Sequence, residues 1–280
     1  MNIKGTGLKV PKKQLINRDF SYSRYFGSPE VAPNIDFVIA EPLEVKDQQN
    51  TDMCAAFSLS SVSEDQEGIL LEPAYTFAKI KQVMGDWKEY GGDPDSACKA
   101  AIKFGFLKKQ DSPYSLDSKD RNFLANYENW SGACDELAYE HRKKAYFKAD
   151  GQADLFDSIR AVLWQNRLEK RSIFAGIYWQ PLWTYVVGGI IPKDSYKKVN
   201  PHAIKIYGQK IINGEPYLIV LNSWGSDVGD KGRFYLPREI ANKLLFARTF
   251  KDVDPEDVKK ETWTFLQKLK DLLVTLLKRS

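Results

Sequence analysis

The period of the apolar positions changes partway along this chain. In the first half they recur at helical spacing, predicting helices over 54–66, 73–84 (PAYTFAKIKQVM), about 94–104, 133–146 and 154–165 (DLFDSIRAVLWQ). Pro73 suits a first helical turn, and Gly105 suits a helix end. In the second half, stretches rich in β-branched and aromatic residues predict strands over 172–179, 202–208, 216–222 and 232–236. Residues 111–131 read as irregular and aromatic-rich. Helices first and strands afterwards describe an α+β protein of two subdomains: a helical wall, an antiparallel sheet or barrel wall, and a cleft between them. The expected boundaries are an N-terminal strap over 1–46, broken by proline and glycine, a helical subdomain over 47–150 and a β-rich subdomain over 151–251. Residues 252–280 read as a C-terminal amphipathic helix too short and too charged to cross a bilayer. Packing on its own domain is expected for that helix, with contact to a partner or a membrane surface as the alternative.

The stretch DQQNTDMCAAFS, residues 47–58, carries the first candidate chemistry. Polar turn residues give way to a small apolar run, so a helix is predicted to start there, with Asp52 as its cap and Cys54 in its first turn. A thiol at a helix N-terminus meets unpaired N–H groups and the positive end of the dipole, both of which favour thiolate. Gln48, six residues upstream, can return its amide to the place where an oxyanion would form. On this stretch alone, a nucleophile and a buried structural cysteine both remain open. His202 opens an alternating run, and a second strand ends in Asn222-Ser223-Trp224-Gly225. The turn Asn213-Gly214 between them predicts an antiparallel hairpin that sets His202 beside Asn222. In a Cys-His-Asn set the imidazole takes the thiol proton and the amide oxygen fixes the imidazole tautomer.

With these residues the chain resembles the papain family of cysteine peptidases. Gln48 stands where that family keeps its oxyanion-hole glutamine, Cys54 where it keeps its nucleophile, and Phe57-Ser58 continues its C-W-A-F-S. His202-Ala203 and Asn222-Ser-Trp-Gly225 match its H-A and N-S-W-G, and Gly91-Gly92 with Pro94 resembles the lining of its substrate cleft. Trp224 resembles the tryptophan that shields the His–Asn bond. The resemblance implies a two-subdomain fold and an endopeptidase acting through Cys54, His202, Asn222 and Gln48 on a peptide or protein substrate. Alternatives on the same fold are an inactive binding module and a transpeptidase or ligase. Ala55 and Val228 replace cleft tryptophans, and Thr51 and Glu89 stand where the family's cysteine pair would be. The 53 residues before Cys54 are too few for a long helical inhibitory prosegment. The expectation is a compact member, active as translated, with Cys54 its most reactive thiol.

Composition narrows the picture further. In 280 residues, a hydrophobic fraction of 43% and a charged fraction of 28% suit a globular protein. The net charge is +4 and the lysine pairs are scattered, so no nucleic-acid partner is expected. Three cysteines form no disulfide framework, and neither of the two histidines has a cysteine at ligand spacing, so no metal and no cofactor are expected. His141, on a charged face, reads as surface or packing. The start has no apolar signal region, and with the unpaired cysteines a cytoplasmic location is expected.

Overall fold

The computed structural model of the chain describes residues 5–11 and 20–252. The expected C-terminal helix at 252–280 lies outside these residues, apart from Asp252, which ends a strand. Three helices make the first wall: α2 (Cys54–Glu67), α3 (Pro73–Met84) and α4 (Pro94–Lys103). Several of their ends follow from local sequence. Glu72 and Asp93 cap α3 and α4 with their side chains, and proline takes the first position of both. Gly68 and Gly85 close α2 and α3 in the left-handed conformation. A short helix α1 (Tyr22–Phe26) precedes them, and α5 (Arg121–Ala125) and α6 (Gly132–Tyr139) follow. Next comes α7 (Leu155–Gln165), and the four-residue α8 (Arg238–Ala241) lies between the last two strands.

The second wall is an open sheet of eight strands among the described residues. The strands are β1 (Phe20–Ser21), β2 (Phe37–Val38), β3 (Lys143–Lys148), β4 (Ile173–Tyr178), β5 (Pro201–Ile212), β6 (Glu215–Leu221), β7 (Arg233–Leu236) and β8 (Phe246–Asp252). They run in the order β1-β3-β8-β4-β5-β6-β7, with β2 added to β5. All pairs are antiparallel except β1–β3, and the sheet does not close into a barrel. The β5–β6 hairpin turns at Asn213 and Gly214, both at positive φ (51° and 82°), as an Asn-Gly turn requires.

Alternation along the central strands explains why both faces are covered. Ile173, Ala175 and Ile177 of β4 join Ile204 and Ile206 of β5 in a core under α7. Phe174 and Ala203, pointing the other way, join the core of α2, α3 and α4. Lys205 shares that second direction. Its ammonium, buried, donates to Asp65 at 2.5 Å and to the Ser61 carbonyl at 3.1 Å, tying the end of α2 to the strand that carries His202.

Two expectations are corrected. The helix predicted over 133–146 stops at Tyr139, and Lys143–Lys148 instead forms β3 beside β8. Lys143 is buried there because Glu67 and Asp252 neutralise it, a partnership that local sequence does not announce. The strand β8 was absent from the predicted set, yet it lies between β3 and β4.

Lys205→Ala should cost about 3–5 kcal/mol of stability, because it strands a buried Asp65 carboxylate. Urea melts of the two proteins check this, and a loss under about 1 kcal/mol would contradict the inward-facing pair.

Candidate active site

Cys54 is the first residue of α2 and is wholly buried. Its Sγ accepts the Gly7 amide at 3.3 Å, and the amides of Ala55 and Ala203 also point at it. The Ala203 contact places the thiol beside the start of β5, next to His202. The expected hairpin forms, and His202 Nε2 donates to Asn222 Oδ1 at 2.8 Å. That oxygen also accepts the Ser223 amide at 2.7 Å, which fixes the carboxamide. With its proton on Nε2 the neutral imidazole presents Nδ1 as an acceptor, and Nδ1 is buried without a hydrogen-bond partner. Trp224 lies against the ring at 4.7 Å between centroids and Trp179 edges onto it at 5.8 Å, so water is kept from the His–Asn bond.

Gln48 completes the group. Its side-chain oxygen accepts Ser223 Oγ at 2.5 Å, and its amide nitrogen donates to the carbonyls of Thr51 at 2.8 Å and Gly5 at 2.9 Å. The second carbonyl belongs to the chain's own N-terminal segment, which lies across the site. Leu8 pairs with Gly92 in a parallel bridge: the Gly92 amide donates to Gly7 at 2.8 Å, and its carbonyl accepts the Lys9 amide at 3.1 Å. The backbone approaches so closely that a Cβ on Gly7 would fall 2.2 Å from the Asp52 carbonyl oxygen. Leu8 is buried, its side chain passing over Gly176. The segment is not poised for cleavage. The Thr6–Gly7 peptide turns its N–H to the sulfur, while its carbonyl accepts the Tyr90 hydroxyl at 2.7 Å on the opposite side. A short extended segment thus occupies the place beside Cys54, Gln48 and Gly92 in this structure.

Burial sets the electrostatics of this closed state. It pushes the Cys54 thiol up to about 11, the Asp52 charge adding to the rise against the pull of the amide hydrogen bonds. It also pushes His202 down to about 4, against the bond to Asn222. Burial thus favours thiol and neutral imidazole, opposing the lowering that a helix end alone would give the thiol. Asp52 does not cap α2. Met53 occupies that position without a side-chain bond, and the Asp52 carboxylate is engaged by Arg121 and the Gly91 amide. Gly91 and Gly92 form the edge described above, whereas Pro94 sits buried at the first position of α4. Residues 5–8, Trp179 and Arg121 were not found by sequence reasoning. The alternating glycines of Gly5-Thr-Gly-Leu8 were the one available signal. His141 bonds Glu67 at 2.9 Å, a packing role. Among the described residues no cluster of three or more His, Cys, Asp or Glu could hold a metal ion, and no helix could cross a membrane.

A helix presenting a cysteine to a sheet that presents a hydrogen-bonded His–Asn pair defines a thiol-peptidase type of architecture. Residues 36–250 match the family described as "Papain family cysteine protease", and the chain belongs to that family. The solved structure of xylellain, a cysteine protease from Xylella fastidiosa, superposes with a TM-score of 0.71 at 19% identity, covering 90% of this chain and 98% of its own. Procathepsin B S9 from Trypanosoma congolense gives 0.66 at 20% identity, over 89% and 87% of the two chains. At such identities the likeness concerns fold. A 50-residue stretch is 42% identical to cathepsin B-like cysteine proteinase 3 of Caenorhabditis elegans, spanning 18% of this chain and 14% of that relative.

Because a raised thiol pKa leaves little thiolate at neutral pH, alkylation of Cys54 in the full chain should be slow and should climb with pH toward about 11. Gly7→Ala, which forces the segment off, should make Cys54 the first thiol labelled and move the rise to lower pH. Iodoacetamide labelling with peptide mapping across pH checks both. Identical profiles for the two proteins would mean that the segment does not control the thiol.

Proposed function

We propose that this chain is a cysteine endopeptidase that cleaves peptide bonds through a thioester acyl-enzyme. The observation that carries the reading is that the site already grips a peptide backbone. Gln48 donates to one carbonyl of residues 5–8, Gly92 pairs with them at the edge, and an amide of the same segment rests on Cys54 Sγ. A substrate replacing this segment would place a carbonyl carbon, instead of an amide nitrogen, against the sulfur.

In that complex the Cys54 proton passes to His202 Nδ1 as Sγ bonds to the carbonyl carbon. The oxyanion is held by Gln48 Nε2 and the Cys54 amide. His202 then delivers its proton to the leaving amine as the C–N bond breaks, and a water molecule attacks the thioester with the same imidazole as base. Asn222 keeps the proton of the neutral ring on Nε2 throughout. Trp224 and Trp179 supply the dry surroundings in which that bond is strong.

Cys54→Ala and His202→Ala should each abolish turnover of unactivated peptides. Gln48→Ala should lower kcat by about 10²–10³, and Asn222→Ala should leave a reduced rate. Profiling a peptide library with the wild type and the Cys54→Ala protein tests the reading. Cleavage that persists in Cys54→Ala, or peptide binding without cleavage by both the wild-type and the Gly7→Ala protein, would end it.

A further inference from the structure

A buried ion cluster lies between α2 and the Gly91–Gly92 edge, and no step of the chemistry uses it. Arg121 grips Asp52 in two parallel bonds, Nε to Oδ1 at 2.9 Å and Nη2 to Oδ2 at 2.6 Å. The same carboxylate accepts the Gly91 amide. Arg121 also donates to the carbonyls of Trp87 at 3.0 Å and Glu89 at 2.8 Å, while Lys81 donates to the carbonyls of Glu89 and Gly91. The buried ring of Phe77 lies 5.3 Å from the guanidinium and 4.9 Å from the ammonium.

This wiring meets a specific need. Residues 86–93 form neither helix nor extended strand, and Gly91 sits at φ 74°. Left to itself such a loop would have many conformations. No disulfide joins it to α2, since all three cysteines are free. The cluster is also an odd choice for stability alone, because it brings two cations to one buried carboxylate. Burial and the neighbouring Arg121 push Lys81 down to about 8. For Asp52, burial is outweighed by the Arg121 bonds, the Gly91 amide and the nearby charges, which hold the carboxyl below its usual range. What the arrangement achieves is placement. It fixes the Gly92 amide and carbonyl, the pair that binds backbone in this structure, at a set distance from Cys54.

We infer that Arg121, with Asp52 and Lys81, is a positioning residue that holds the Gly91–Gly92 edge in register with Cys54, and that extended peptide substrates depend on it. The substrate half of this inference rests on the peptidase reading above. Substrates that reach the edge should feel the loss of the cluster, and substrates too short to reach it should not.

The full-length chain and its Arg121→Ala, Arg121→Lys and Lys81→Met variants test this by two readouts. The first is hydrogen exchange, which needs no activity. Amides of 87–92 should exchange roughly tenfold faster in Arg121→Ala, with those of 55–62 in α2 unchanged. The second is the ratio of kcat/KM for a tripeptide amide to that for a blocked single-residue ester with the same residue at the cleavage point. Displacement of residues 5–11 affects both substrates alike and cancels, so the ratio should fall about tenfold through KM of the tripeptide. Arg121→Lys, which keeps the charge without the fork, should lie between. If Arg121→Ala does not fold, Lys81→Met should show the same pattern, smaller. Exchange that rises evenly over the molecule, or an unchanged ratio with unchanged exchange at 87–92, would overturn the inference. Failure of both the wild-type and the Gly7→Ala protein, whose segment is forced off, to hydrolyse either substrate would refute the peptidase reading while the exchange measurement still decides the positioning role.

Discussion

The structure depends on packing the end of one helix against the flank of one strand. The first turn of α2 abuts the start of β5, so Cys54 meets the amide of Ala203 and lies next to His202. Two separate cores meet at that junction, one built on the helices and one under α7. Lys205 and Asp65 lock the other end of α2 to the same strand. A polar group placed on such a seam must bring its own partners, because water is excluded from it. Ser223 supplies them locally: its amide holds Asn222, its hydroxyl holds the Gln48 side chain, and its carbonyl accepts the Gln48 amide at 2.8 Å.

The parts legible in sequence were those encoded by neighbours in sequence. Pro73 with Gly85, and Asp93 with Pro94, define helix ends by local chemistry, and Asn213-Gly214 defines a hairpin by its own dihedral preferences. Cys54, His202, Asn222 and Gln48 could be proposed because the hairpin and one helix start suffice to gather them. The parts that stayed hidden were fixed by distant partners. Lys143 reads as a solvated helical position until Glu67 and Asp252 are found beside it. Asp52 reads as a cap until Arg121, 69 residues away, is found to claim it. Residues 5–8 read only as part of an extended strap because their partners, Gln48, Cys54 and Gly92, are spread over the chain.

The closed cleft is a consequence of the same seam. A site made to bind backbone will bind any extended backbone of suitable shape, and the nearest one is tethered at high effective concentration. The chain's own segment satisfies the edge and the Gln48 donor while offering the sulfur an N–H in place of a carbonyl carbon. Burial raises the thiol as well, so occupation of the site and a disfavoured thiolate come together. A longer helical segment would bury more area, but four residues with two glycines are enough to reach Gln48, Cys54 and Gly92.

Asp52 brings the electrostatic question to a point. A carboxylate two residues before Cys54 opposes thiolate formation, and it does contribute to the raised Cys54 value. Two unit charges a few ångströms apart in a poorly solvated place interact by several kcal/mol, enough to outweigh the favourable end of a helix dipole. The carboxylate is tolerable there because Arg121 cancels it at bonding distance and Lys81 adds a second positive charge nearby. The carboxylate that helps to raise the Cys54 thiol is also the one that Arg121 and the Gly91 amide engage, so the geometry and the charge of the site meet in the same residue.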